Sequence, residues 1–193
     1  MKQKIAVLVA VLSLLAGSQV QAFGGAGETW DDHEIDVSLH AGVAFPTNFN
    51  TAGVDVDDVT FALGLDADVQ LWEFLYGGFD FAFIPIGFKV GTASGRYDTF
   101  ALSFHAKAKY VLPWGDENWR IVPAFGMGPT VTSASIAGLS ADDTVFGLNF
   151  GLDAEYLWND EFFVGPTYRS YAVFDSDDTF MVHTIGLKAG MRF

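Results

Sequence analysis

The stretch that decides the fold is Ile185-Gly186-Leu187-Lys188-Ala189-Gly190-Met191-Arg192-Phe193. Every second residue is apolar: Ile185, Leu187, Ala189, Met191 and Phe193. Between them stand Gly186, Lys188, Gly190 and Arg192, which are small or basic. A period of two is the signature of a strand with one oily and one polar face. This predicts a strand from Phe180 to Phe193 whose oily face needs an apolar solvent or core.

Working back from this strand, seven more segments repeat the period. Ile35 to Phe45 places Ile35, Val37, Leu39, Ala41, Val43 and Phe45 on one face, and Asp36, Ser38 and His40 on the other. Val59 to Leu71 alternates in the same way and carries Asp66, Asp68 and Gln70 on its polar face. Leu75 to Pro85 sets Phe79, Phe81 and Phe83 against Asp80. Thr99 to Leu112 opposes Phe100, Leu102 and Phe104 to Ser103, His105, Lys107 and Lys109. Trp119 to Val131 and Val145 to Trp158 follow suit, the latter with Asn149, Asp153 and Glu155 between its hydrophobics. Phe162 to Phe174 carries aromatics in both phases; setting Phe162, Val164, Pro166 and Tyr168 outward turns Arg169 inward. Each segment supplies the about 9–11 residues with which a tilted strand crosses a bilayer. The prolines at 85, 123, 129 and 166 predict bulges or strand ends.

The connections alternate in length. Short turns are expected at 72–74, 113–118 and 159–161, and longer loops at 46–58, 86–98 and 132–144, with a shorter one at 175–179. All five tryptophans, Trp30, Trp72, Trp114, Trp119 and Trp158, fall before the first strand or beside the short turns. Tryptophan gathers at membrane interfaces, where its ring is apolar and its N–H finds a polar partner. Trp72, Trp114, Trp119 and Trp158 therefore read as an aromatic belt at one end. Phe45, Phe61, Phe83, Phe100 and Phe146 would ring the other.

Composition agrees. Half of the 193 residues are hydrophobic, with 19 Phe and 21 Gly. Beyond the amino terminus no apolar run reaches the roughly 18 residues of a membrane helix. Lys2 and Lys4 precede an apolar run from Ile5 to Ala16, followed by small residues up to Ala22. This is the pattern of a secretory signal peptide over residues 1–22, leaving 23–193 as one domain. Its removal takes away two lysines and no acid, so the net charge moves from −14 to −16. Such an acidic chain offers no basic face for nucleic acid. It has no cysteine, hence no disulfide framework or thiol chemistry.

These features resemble the small eight-stranded outer-membrane barrels, among them the transmembrane domain of outer membrane protein A and the OmpX and OmpW types. The resemblance covers the mature chain and implies an all-β, antiparallel, up-and-down transmembrane barrel in the bacterial outer membrane. It further implies that Leu187, Ala189, Met191 and Phe193 form the insertion signal read by the barrel-insertion machinery. Outer-membrane lipid and lipopolysaccharide would be the surrounding partners, and the barrel would be a monomer with its short turns in the periplasm.

The inner face carries the chemistry. Its acids are Asp36, Asp66, Asp68, Asp80, Asp153 and Glu155; its bases are Lys107, Lys109, Arg120, Arg169, Lys188 and Arg192. Buried charge is costly unless paired, so this balance predicts an ion-pair plug toward the periplasmic end. The remaining inner positions, Gly42, Ala44, Ala62, Gly64, Ala101, Ser103 and Gly147, are small and predict a wet cavity above it. His40 and His105 face inward near mid-barrel, for hydrogen bonding, proton sensing or metal ligation. No cofactor motif is present. His183 interrupts the oily face of the last strand, and Ser170 is its nearest candidate partner for lipid-modifying chemistry, but no outward acid completes a triad. Asp55, Asp57 and Asp58, Asp142 and Asp143, and Asp175, Asp177 and Asp178 cluster at loop tips, as solvated loop charge or, in the alternative, as oxygen ligands for divalent cations. The expected function is structural or surface-interactive, without enzymatic activity. A narrow pore and a lipid-modifying enzyme are the alternatives.

Overall fold

The computed structural model describes residues 34–47, 54–112, 118–159, 161–174 and 179–193. The signal segment 1–22, Trp30, Trp114, most of the turn at 113–118 and Asp175, Asp177 and Asp178 lie outside the described residues.

Eight long antiparallel strands close on themselves: β1 (Ile35–Thr47), β3 (Thr60–Trp72), β4 (Leu75–Val90), β5 (Ala93–Ala108), β7 (Trp119–Ile136), β8 (Leu139–Leu157), β9 (Phe162–Phe174) and β10 (Thr179–Arg192). Two short pieces accompany them, β2 (Val54–Val56) against β4 and β6 (Tyr110–Val111) against β7. Each strand pairs with its neighbours in sequence, and β1 pairs with β10 to close the ring. Closure leaves no open edge inside a bilayer, where an unpaired backbone amide would find no water. At the seam Gly42 faces Gly186, and a Cβ on Gly42 would strike the backbone at 2.7–2.8 Å from Gly186 Cα and the Ile185 carbonyl carbon.

The alternation read from sequence is the inside–outside alternation of the barrel. Along β9, Phe162, Val164 and Pro166 are exposed while Phe163, Gly165, Thr167, Arg169 and Tyr171 are buried. Outside, Leu39, Phe104, Ile185 and Leu187 are each more than half exposed. A belt of such residues around a molecule is a lipid-facing surface, since a soluble monomer does not carry one.

The connections differ from expectation. Segments 86–98 and 132–144, expected as loops, continue as paired strands. The β4–β5 ladder runs to Val90 and Ala93, and the β7–β8 ladder to Ile136 and Leu139. The turn at Ala137-Gly138 has φ of 50° and 83°, both positive as a type I′ hairpin requires, and Gly91 has φ 60° in the other turn. Polar residues such as Asp98, Ser133 and Asp142 masked the continuation, because beyond the membrane neither face of a hairpin needs to be oily. The first loop likewise holds β2. Trp72 ends β3 rather than opening the turn, and the segment read as one strand over 99–112 breaks at Lys109.

Candidate functional site

The chemistry of the described chain lies inside the barrel, in three layers stacked along its axis. The first layer is at the end of the short turns. Arg192 grips Asp36 with Nε at 3.0 Å and Nη2 at 3.2 Å, and Lys109 Nζ also donates to Asp36. Arg192 Nε reaches Glu34 at 3.1 Å, and the Tyr76 hydroxyl donates to Glu34 at 2.5 Å. The Lys109 ammonium sits 3.5 Å from the Tyr76 ring centroid. Two acids thus face two bases.

The second layer is at mid-barrel. Lys107 Nζ bridges Asp66 at 3.0 Å and Asp68 at 2.9 Å, and His105 Nε2 contacts the other oxygen of Asp68. Lys188 Nζ reaches Asp153 and Glu155 at 2.9 Å each and Asp66 at 3.3 Å. Arg169 donates to both oxygens of Asp153 and, through Nη2, to Asp66 at 3.3 Å. The Thr167 hydroxyl donates to Asp153 at 2.7 Å. Asp80 lies at the upper edge, 3.1 Å from His40 Nε2, and accepts from Asn149 at 2.9 Å and from the Tyr171 hydroxyl at 3.0 Å. Period two places these groups: positions i and i+2 of one strand point into the same lumen, so Asp66 and Asp68, or Lys107 and Lys109, work at successive levels.

The third layer, toward the long hairpins, overturns the expected wet cavity. Ala44, Ala62 and Ala101 pack with Ile84, Ile86, Tyr171, Val173, Phe180 and Val182 in one buried apolar cluster. Small residues on some strands leave room that large ones on β4, β9 and β10 fill. Gly64 is filled likewise, because the His40 imidazole occupies the place of its missing side chain.

Of the expected inner residues, eleven of the twelve charged groups, all but Arg120, form ion pairs with one another or with His. Arg120 is register partner to Glu155 but pairs with no acid among the described residues, and its Nε is buried without an acceptor. His40 and His105 are each held by a separate carboxylate rather than by each other. Tyr76, Asn149, Thr167, Tyr171 and Glu34 join the network without having been singled out as site residues. The first four share the inward phase of a charged neighbour two or four residues away, and that phase was the available signal.

Outside, Trp72, Trp119 and Trp158 are exposed next to the short turns, and Trp119 lies 5.2 Å from the Tyr156 ring. At the opposite end Phe83 stacks on Phe100 at 4.8 Å and meets Phe61 edge-on at 6.3 Å. Leu187, Ala189, Met191 and Phe193 all face outward. His183 lies beside Ser170 in register, but its Nδ1 is bonded to the Tyr168 hydroxyl at 2.9 Å, and no acid is placed to complete a triad among the described residues. At the described loop tips, no three acidic groups converge as a metal site would require.

No curated protein is detectably similar to this chain in sequence. Solved structures of two small outer-membrane proteins share the fold. Ail, the attachment invasion locus protein of Yersinia pestis, is 17% identical with a TM-score of 0.58, over 83% of this chain and 99% of its own. Neisserial surface protein A is 13% identical with a TM-score of 0.54, over 83% of this chain and 94% of its own. The family model for the outer membrane protein beta-barrel domain matches residues 7–193, and with a closed, lipid-facing barrel this chain belongs to that family and resides in the bacterial outer membrane.

Proposed function

We propose that this protein is a non-conducting outer-membrane barrel, plugged by its own side chains, that serves as a rigid platform for surface contacts. The observation that carries the reading is the filling of the lumen at two successive levels. Arg169, Lys188, Asp66 and Asp153 are exposed by no more than 1%, and the apolar cluster around Ile84, Val173 and Phe180 lies over them. An ion crossing this path would have to separate paired charges and then enter a dry layer, and each step costs several kcal/mol.

The β4–β5 and β7–β8 hairpins extend the barrel wall away from the short-turn end, and they are the surface available to a partner. Their described tips and the neighbouring loop carry Asp55, Asp57, Asp58, Asp98, Asp142 and Asp143 against Lys89 and Arg96. This favours a basic or cation-bridged partner. Ail was crystallised with a heparin analogue, sucrose octasulfate; the acidic balance here is unsuited to such a polyanion. Cation bridging to lipopolysaccharide would suit these tips.

Planar-bilayer recording of the refolded chain tests the plug. A flat current trace at all voltages is the expected result. Regular unitary openings would sink the reading and leave the narrow pore in its place.

A further inference from the structure

We propose that His40, Asp66 and Asp80 form a binding site for a divalent transition metal of the zinc class, enclosed in the barrel interior. The three residues project from adjacent strands, β1, β3 and β4, and each offers a ligand atom within 4.8 Å of the others. His40 Nε2 already stands 3.1 Å from an Asp80 oxygen. Donors around a tetrahedral zinc, with bonds of about 2.0–2.2 Å, lie at nearly that separation.

A second observation points to a ligand. Asp66 Oδ1 is fully buried and has no hydrogen-bond partner, whereas Lys107, Arg169 and Lys188 all approach its other oxygen. A buried carboxylate oxygen without a partner is costly and rare, and a cation would satisfy it. The second layer also carries unmatched charge. Asp66, Asp68, Asp153 and Glu155 form direct ion pairs with Lys107, Arg169 and Lys188 as their permanent cations, and Asp80 pairs with His40. Counted over these paired permanent charges, five acids meet three bases, and a divalent cation would offset that excess. Asp36 and Glu34 are matched separately by Lys109 and Arg192. Arg120 has its Cα opposite Glu155 and is only half-buried.

The donor set selects the metal. One imidazole nitrogen with two carboxylates suits zinc and its neighbours, whereas calcium and magnesium prefer oxygen throughout. Supporting groups are in place. Asn149 and Tyr171 donate to the far oxygen of Asp80 and fix its orientation. A side chain on Gly64 would collide with the His40 ring, so glycine there lets the imidazole lie across the lumen.

The test uses untagged chain refolded in detergent with zinc chloride, dialysed against metal-free buffer, and assayed for metal by mass spectrometry. Folding is checked by the mobility difference between heated and unheated samples. One zinc per chain is expected for the parent and for His105→Gln, which alters a carboxylate-bound histidine outside the triad. His40→Gln should lose it. A folded parent without zinc, or a folded His40→Gln retaining as much, overturns the proposal. Should His40→Gln fail to fold, cobalt in the parent chain decides. A visible d–d band of a mixed nitrogen–oxygen site is expected, and its absence overturns the proposal.

Discussion

Arg169 holds Asp153 through both terminal nitrogens, Nη1 to Oδ1 and Nη2 to Oδ2 at 2.9 Å, and neither residue is exposed by more than 1%. The pair ties β9 to the adjacent β8, and through Asp66 it reaches β3 on the far side of the lumen. It is therefore a cross-brace as well as a filling. Both partners belong to one inner phase of alternating strands, the property that also makes the outer phase oily.

Removing one member of this brace should do more harm than removing both. Arg169→Met leaves Asp153 and Asp66 with fewer cations in a site closed to water, and loss of about 3–5 kcal/mol is expected. The double variant Arg169→Met/Asp153→Leu should recover part of that loss, because it removes one charge of each sign and leaves the net charge of the layer unchanged, with Asp66 still held by Lys107 and Lys188. Urea unfolding in lipid vesicles, followed by tryptophan fluorescence, measures both; equal loss in the two would argue that the pair acts only as packing.

Gly64 makes a sharper test of how His40 is seated. A methyl group there would fall on the imidazole and approach the Phe81 carbonyl at 2.7 Å. Gly64→Ala should displace the ring from Asp80 and cost about 1–3 kcal/mol, the usual range for overpacking. Gly138→Ala, in an open turn, lacks such a neighbour and loses only the strain of a positive φ. Nitrogen chemical shifts of the His40 ring report the displacement directly, and unchanged shifts in the Gly64 variant would contradict the placement.

Most of this architecture was legible in the chain because two solvents act on alternate residues. Where lipid meets Leu39, Phe61 or Leu187 and the lumen holds Ser38, Asp66 or Lys188, the period is strict and the eight strands follow. The rule lapses where lipid ends. Arg96 and Asp98, or Asp142 and Asp143, sit in regular ladders but carry no oily phase, so the hairpins read as loops. The lumen was harder still. Ala44, Ala62 and Ala101 reveal small side chains, but whether Phe180 and Val182 from another strand fill the space depends on register, which no single strand encodes.

The β7–β8 turn invites a stabilising change. Ala137 adopts φ 50°, a left-handed conformation that costs an L-residue about 1–2 kcal/mol, and Gly138 follows at 83°. Asparagine tolerates this geometry and precedes glycine in the favoured type I′ hairpin. Ala137→Asn should therefore slow hydrogen exchange of the Ile136 and Leu139 amides several-fold without altering exchange at mid-barrel. Faster exchange at the hairpin would count against the turn.

Two leucines of similar exposure separate the lipid-facing belt from the hairpin beyond it. Leu187 is 66% exposed near the middle of β10, and Leu139 is 74% exposed at the hairpin tip. Area alone would make the two equivalent. If the bilayer covers the oily phase of β10 but not the tip, a lysine at Leu187 must enter hydrocarbon, at a cost of about 2–4 kcal/mol near the midplane. A lysine at Leu139 stays in water and should shift stability by less than about 0.5 kcal/mol, as for an ordinary surface site. Unfolding of Leu187→Lys and Leu139→Lys in the same vesicles measures the difference. In detergent micelles the gap should narrow, because the headgroup shell can follow the charge inward; equal effects in vesicles would require the membrane boundary to be redrawn across the hairpins.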